Sequence, residues 1–193
     1  LIEFLQNDLF LNHIKFGKEI KKVSKIKKKL LINFTDNTND LVDYIIISDG
    51  VFSNTKAVIE NKNIKPVYNG SIAIRSIIKA SKVFNYEINN ISLVMLKNAH
   101  VVIYPINKKG ELNLVCILRR KLSDKLDLNL LIKNEIISQN KNLENLFSSP
   151  LESWPIYVTK KPYKSTYSNI FYLGDAFYTF PPTMAQGASQ SIE

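Results

Sequence analysis

The sequence predicts an α/β (α+β) fold in which strand–turn–helix segments toward the two ends enclose a mostly antiparallel sheet. Three observations predict it. Tyr44-Ile45-Ile46-Ile47 is a short β-branched apolar run that stops at Asp49-Gly50, the pattern of a buried parallel strand closed by a tight turn. Ile170-Phe171-Tyr172-Leu173 is a second such run, stopping at Gly174-Asp175 and leading through Pro181-Pro182 into helix-compatible residues after Met184. Between the two, apolar stretches at 72–75, 91–96, 101–106 and 112–118 read as strands of an antiparallel sheet.

The remaining elements follow in chain order. Leu1, Leu5 and Leu9 recur at helical spacing and predict a helix over 1–10. Residues 18–35 read as a lysine-rich hairpin. Ile20, Val23 and Ile26 thread through its first strand, and Leu30, Ile32 and Phe34 alternate with Leu31 and Asn33 in its second. Ser53 is placed to cap a short helix after the Asp-Gly turn. Leu131, Ile132, Glu135, Ile136, Leu143 and Leu146 are spaced for one helix over 127–147. This order predicts one domain built from 1–65 and 161–193, interrupted by a sheet-based domain over 66–160.

Composition narrows the function classes. The formal net charge is +9, but arginine occurs only at Arg75, Arg119 and Arg120. The lysine excess runs through the whole chain beside abundant isoleucine and asparagine, as an AT-rich coding sequence would produce. A nucleic-acid partner is therefore not expected; a weak attraction to anionic membrane surfaces, or a basic binding module, stays open. No apolar run approaches membrane-spanning length. The single cysteine, Cys116, excludes an internal disulfide and suits a reducing, cytoplasmic compartment. Two histidines and one cysteine make no zinc site, and no metal is expected.

The chemistry-bearing residues sit at strand ends. A Gly-Asp turn puts a carboxylate where open α/β folds bind ligands, and Asp175 there can accept hydrogen bonds from a sugar-like chain. Gly174 lets the backbone turn tightly against a ligand. The helix start near Gln186-Gly187-Ala188 would present free N–H groups and a positive dipole end. On the stretch His100-Val101-Val102-Ile103-Tyr104-Pro105, alternation puts His100 and Tyr104 on one face. Each of these also has a plain reading, as a strand closure or a packed side chain.

Taken together the motifs resemble the class A FAD-dependent aromatic hydroxylases, in their salicylate hydroxylase-like or ubiquinone-biosynthesis branches. The segment 169–188 resembles the family's second flavin motif, and Asp43 to Lys56 its internal Asp-Gly motif, with Ser48 and Lys56 in place of alanine and arginine. Residues 99–115 resemble its His-x-x-x-Tyr-Pro hairpin, and Trp154-Pro155-Ile156-Tyr157 and a strand ending at Arg75 recur in the same branch. Phe177-Tyr178 depart from the usual Ala-His. No Gly-x-Gly-x-x-Gly turn is present, so the chain is expected to be an internal fragment, incomplete at both ends.

The resemblance implies an FAD/NAD(P)-binding fold with a substrate pocket under the second sheet. It implies a monooxygenase that draws electrons from NAD(P)H and dioxygen, and hydroxylates an aromatic or quinone-precursor substrate through a flavin C4a-hydroperoxide. It assigns Asp49, Gly50, Gly174, Asp175, Pro181, Gln186, Gly187 and Ala188 to the cofactor and His100 and Tyr104 to catalysis. The fragment alone is expected to be inactive. A relative with the same flavin fold and non-hydroxylating chemistry is the alternative.

Overall fold

The computed structural model of the chain describes residues 14–62, 64–82, 89–106, 110–122 and 126–182. The helix expected over 1–10, and the segment holding Gln186, Gly187 and Ala188, lie outside them. The described strands are β1 (Ile20–Ile26), β2 (Lys29–Phe34), β3 (Asn39–Val42), β4 (Ile45–Ile47), β5 (Val67–Lys79), β6 (Ser92–Leu96), β7 (Ala99–Pro105), β8 (Glu111–Arg119), β9 (Glu152–Val158) and β10 (Ile170–Tyr172). The α-helices are α1 (Asn54–Glu60) and α2 (Leu128–Ile132). The chain divides into two compact units: one holds the described parts of 1–66 and 159–180, the other those of 67–158 with Pro181 and Pro182. No helix among the described residues is long and apolar enough to cross a membrane.

In the first unit the lysine-rich hairpin forms as expected, with Lys27 at φ 55 in its turn. A third strand, β3, extends it to an antiparallel meander. That strand escapes the sequence pattern because Asn39 and Asp40 leave it only two apolar residues. Val23, Leu30 and Ile32 of the meander share one core with Ile45, Ile47, Ile59, Ile170, Tyr172 and Ala176. β4 and β10 pair in parallel, Ile45 opposite Ile170 and Ile47 opposite Tyr172. Among the described residues only one face of this pair is covered. Ile46 and Phe171 point the other way and are exposed, so the strand read as buried is buried on alternate residues.

The second unit is a five-stranded antiparallel sheet in the order β6-β7-β8-β5-β9. The alternation of its side chains makes two unlike faces. Ile72, Ile74, Val101, Ile103, Leu112, Leu114, Cys116 and Leu118 form the core face. Leu131, Ile132, Ile136, Leu143, Leu146 and Phe147 cover it. The helix expected over 127–147 is broken into α2, a π-helical turn over Lys133–Ile137 and a 3-10 turn over Lys141–Phe147. Local polar competition explains the break. The Ser138 hydroxyl donates to the Asn134 carbonyl, and Asn140, itself extended, accepts from the Asn142 N–H. The apolar spacing still reaches the core; Glu135 is exposed. β9 carries Pro155 and is an edge strand, where a missing N–H is tolerated.

Leu114 sits in the centre of the core face with 0% exposure. Leu114→Ala is expected to lower stability by about 2–5 kcal/mol, through lost burial and the cavity left behind. Denaturant unfolding measures it, and a change near zero would mean that this face is not the packed core.

Candidate functional site

In the first unit, parallel pairing brings the two acidic turns to the same end of adjacent strands. Asp49-Gly50 leaves the end of β4, and Gly174-Asp175 opens a 3-10 turn, Gly174–Ala176, after β10. Gly50 has φ 87 and Gly174 φ 54, a region that L side chains enter at a cost. A Cβ on Gly50 would meet nothing within 4 Å, so the space above the turn is open. Asp49 and Asp175 are exposed, and no hydrogen bond or ion pair engages either carboxylate among the described residues.

Beneath the turns lies a set of buried polar groups that holds them in place. Ser53 caps α1 by accepting the Lys56 N–H at 3.3 Å, as its spacing predicts. Lys56 is 2% exposed, and its Nζ donates to the Ala176 carbonyl at 2.7 Å. The same ammonium lies 5.7 Å from the Tyr163 ring centre and 6.0 Å from that of Tyr172. Burial lowers the Lys56 pKa, and the nearby Asp49 charge partly opposes this. Lys56 thereby ties α1, which follows the Asp-Gly turn, to the Gly-Asp turn.

Glu60, one helical turn further, accepts from the Ser165 hydroxyl at 2.6 Å, the Thr166 hydroxyl at 2.6 Å and the Thr166 N–H at 3.2 Å. Tyr172 adds a longer bond of 3.4 Å. Burial alone would raise the Glu60 pKa, but these donors outweigh it and the net shift is downward. Tyr172, desolvated and beside this charge, has its pKa raised. Sequence reasoning named Lys56 only as a replacement for arginine and missed Glu60. Its partners come from more than a hundred residues away, and no local pattern announces them.

In the second unit the sheet face opposite the core bears an open cleft of about 1060 Å³. His100 and Val102 of β7, Leu93 and Met95 of β6, Ile117 and Arg119 of β8, and Ser71 of β5 line it, with Pro181 beside them. Pairing explains the set, since Met95, His100, Ile117 and Ala73 form one cross-strand row and Leu93, Val102, Val115 and Arg75 the next. His100 is half-buried and its pKa is lowered by desolvation.

Tyr104 lies two rows away from His100, opposite Asn113. Its hydroxyl oxygen accepts from Asn113 Nδ2 at 2.6 Å, while Asn113 Oδ1 accepts from Arg75 Nε at 2.5 Å. The structure thus joins Tyr104 to Arg75 through a buried asparagine, and does not join it to His100. Asn113 was not singled out from sequence, although a lone amide inside an apolar run was its signal. Cys116, on the core face, has its thiol pushed up to about 12 by burial and is no nucleophile at neutral pH. Among the described residues no cluster of His, Cys, Asp or Glu could hold a metal ion.

No protein-family model matches the sequence, and no curated protein does. Solved structures match it over nearly its whole length. HpxO of Klebsiella pneumoniae complexed with FAD and uric acid has a TM-score of 0.83 at 14% identity, covering 98% of this chain and 50% of that one. A substrate complex of salicylate hydroxylase gives 0.84 at 16%, covering 99% and 53%. CtdE in complex with FAD and a substrate gives 0.79 at 19%, covering 99% and 52%. The chain has the fold of these FAD-bound and hydroxylase structures and spans about half their length. The sheet-interrupted α/β architecture expected from sequence is thereby established.

Glu60 also gives the first unit an acid limit. Its folded pKa lies below the ordinary glutamate value of 4.5, so its contribution is present above that pH and is lost as pH falls through the lowered folded value. Glu60→Gln should cost about 1–3 kcal/mol at neutral pH. It should also flatten the loss of stability on the acid side, read from denaturation midpoints across pH.

Proposed function

We propose that this chain is part of an FAD-dependent monooxygenase that hydroxylates a small aromatic or quinone-precursor substrate with electrons from NAD(P)H. The observation that carries this is the convergence of Asp49-Gly50 and Gly174-Asp175 at one end of the β4–β10 pair. The open space above Gly50, the positive φ of both glycines and two carboxylates without a hydrogen bond among the described residues fit a hydroxyl-bearing, backbone-hugging cofactor. In this reading the first unit, with 161–193, serves the cofactor and the sheet unit serves the substrate. Bound there, FAD would supply the electron transfer and oxygen activation that amino-acid side chains lack.

The chain's own residues then have distinct tasks. Asp175 accepts hydrogen bonds from the ribityl hydroxyls, and Gly174 lets the backbone come close. Asp49-Gly50 forms the second turn beside it. Pro181 would serve the ring system, and the resemblance assigns Gln186, Gly187 and Ala188, which lie outside the described residues, to the same cofactor. In the cleft His100, kept neutral at pH 7 by its lowered pKa, can take a phenolic proton. Tyr104 already accepts from Asn113, so its own proton is left to donate to a substrate oxygen. Tyr104 does not line the cleft and lies about 13 Å along the strand from His100, so one small aromatic ring does not reach both, and His100 is the group within the cleft.

Two measurements on the full-length protein containing this segment test the assignment. Asp175→Ala should remove most of the flavin absorbance of the purified protein; equal colour in mutant and wild type would end the role given to this turn. His100→Ala should slow hydroxylation by about 10²–10⁴-fold. With His100 intact, kcat/KM should fall on the acid side at a lower pH than an ordinary histidine base would give, because a base works above its pKa and burial depresses this one.

A further inference from the structure

The lysine-rich meander of the first unit carries a surface that neither the acidic turns nor the cleft use. Residues 15–29 hold eight lysines and one acidic residue, Glu19. A bias spread evenly along the chain does not produce that density. Three of the eight are paired: Lys15 with Asp40 at 3.1 Å, Lys29 with Asp43 at 3.2 Å, and Lys18 with Asp36. Lys21, Lys22, Lys25, Lys27 and Lys28 are exposed and form no ion pair among the described residues.

Strand register decides where these charges stand. Lys27 and Lys28 make the β1–β2 turn, with Lys27 at φ 55, and Lys25 and Lys29 flank it. Alternation sends Val23, Leu30 and Ile32 into the core, so Lys22, Ser24, Ile26, Lys29, Leu31 and Asn33 form the outer face. Leu41 of β3 continues that face, since it pairs with Leu31. Ile26 is 45% exposed and Leu41 52%. Among the described residues, Ile26, Leu31 and Leu41 belong to no core.

An aliphatic side chain at a hairpin tip, ringed by unpaired lysines, matches the interface of an anionic bilayer. The apolar group enters the headgroup boundary while the ammoniums stay among the phosphates. We propose that the tip of the β1–β2 hairpin docks on an anionic phospholipid surface, with Ile26 inserted and Lys25, Lys27 and Lys28 against the headgroups. A nucleic acid carries the same phosphate charge, but proteins read and stack it with arginine and aromatic rings. The first unit has no arginine, and the outer face of the meander presents aliphatic groups in place of rings. Such an attachment is peripheral and stands whether or not the chain binds a flavin.

The test is co-sedimentation of the full-length protein with vesicles, either phosphatidylcholine alone or phosphatidylcholine with an equal part of phosphatidylserine. Binding is expected only to the second kind, and added salt should weaken it by screening exposed charges. Lys25→Gln, Lys27→Gln and Lys28→Gln together should weaken it by about 100-fold, at about fivefold per lysine. The same charge loss at Lys97, Lys133 and Lys141, exposed lysines of the second unit, should change it by less than about twofold. Ile26→Gln, which leaves the charge untouched, should weaken it by about threefold or more.

Equal binding to both kinds of vesicle, or unchanged affinity in the triple hairpin variant, overturns the proposal. So does unchanged affinity in Ile26→Gln, which would mark a contact made by charge alone. Titration with oligothymidylate separates the remaining partner. Tighter binding to it than to the charged vesicles, lost in the triple hairpin variant, overturns the bilayer in favour of a nucleic acid. Flavin absorbance of the same preparations reads the hydroxylase proposal independently. A colourless protein that binds charged vesicles keeps the surface and loses the flavin; a yellow one that binds neither vesicle does the reverse.

Discussion

The in-register parallel pairing of β4 with β10 is the constraint on which the first unit depends. Each strand is only three residues long, and they come from positions more than a hundred residues apart. Closing so long a loop costs entropy that three backbone pairings do not recover. The balance comes from burial: Ile45, Ile47, Ile170 and Tyr172 face a core shared with the lysine-rich meander and α1. Slipping β10 by one residue against β4 would bring Phe171 inward and put Ile170 and Tyr172 in water. The same shift would separate the two acidic turns.

Buried polar groups then turn that pairing into a defined local geometry. Two charged side chains of opposite sign lie one helical turn apart on α1, yet each has its own set of partners. Lys56 takes the Ala176 carbonyl and two tyrosine faces; Glu60 takes the hydroxyls and an N–H of Ser165 and Thr166. Unpaired, either charge would be costly at this depth. Their specificity therefore lies in the backbone that they hold, which includes the Gly174–Ala176 turn.

The second unit shows how one repeat of two residues produces a core face and a cleft-bearing face at once. Along β8, Leu112, Leu114, Cys116 and Leu118 go to the core, while Asn113, Val115, Ile117 and Arg119 go to the other side. The second set grades from a hydrogen-bonded amide through aliphatic floor to the Arg119 guanidinium at the rim. β7 repeats the division with Val101 and Ile103 inward and His100, Val102 and Tyr104 outward.

Local chemistry in the sequence determined the strands around Ile45, Ile72, Val101, Leu114 and Ile170, the Ser53 cap and the two Asp- and Gly-bearing turns. Each rests on side-chain period, turn residues or a cap, all of which act over a few positions. β3 and β9 were not legible, because Asn39-Asp40 and Ser153-Pro155 mask strands that form only when a neighbour supplies the hydrogen bonds. The broken helix at Ser138 to Asn140 was hidden for the opposite reason, since its apolar spacing is helical while its polar side chains prefer the backbone. Only the tertiary structure decided that Lys56 reaches Ala176, that Glu60 meets Thr166, that Tyr104 joins Arg75 rather than His100, and that Arg119 stands at the rim of a cleft. These are contacts between distant residues, fixed by strand register and burial rather than by any pattern along the chain.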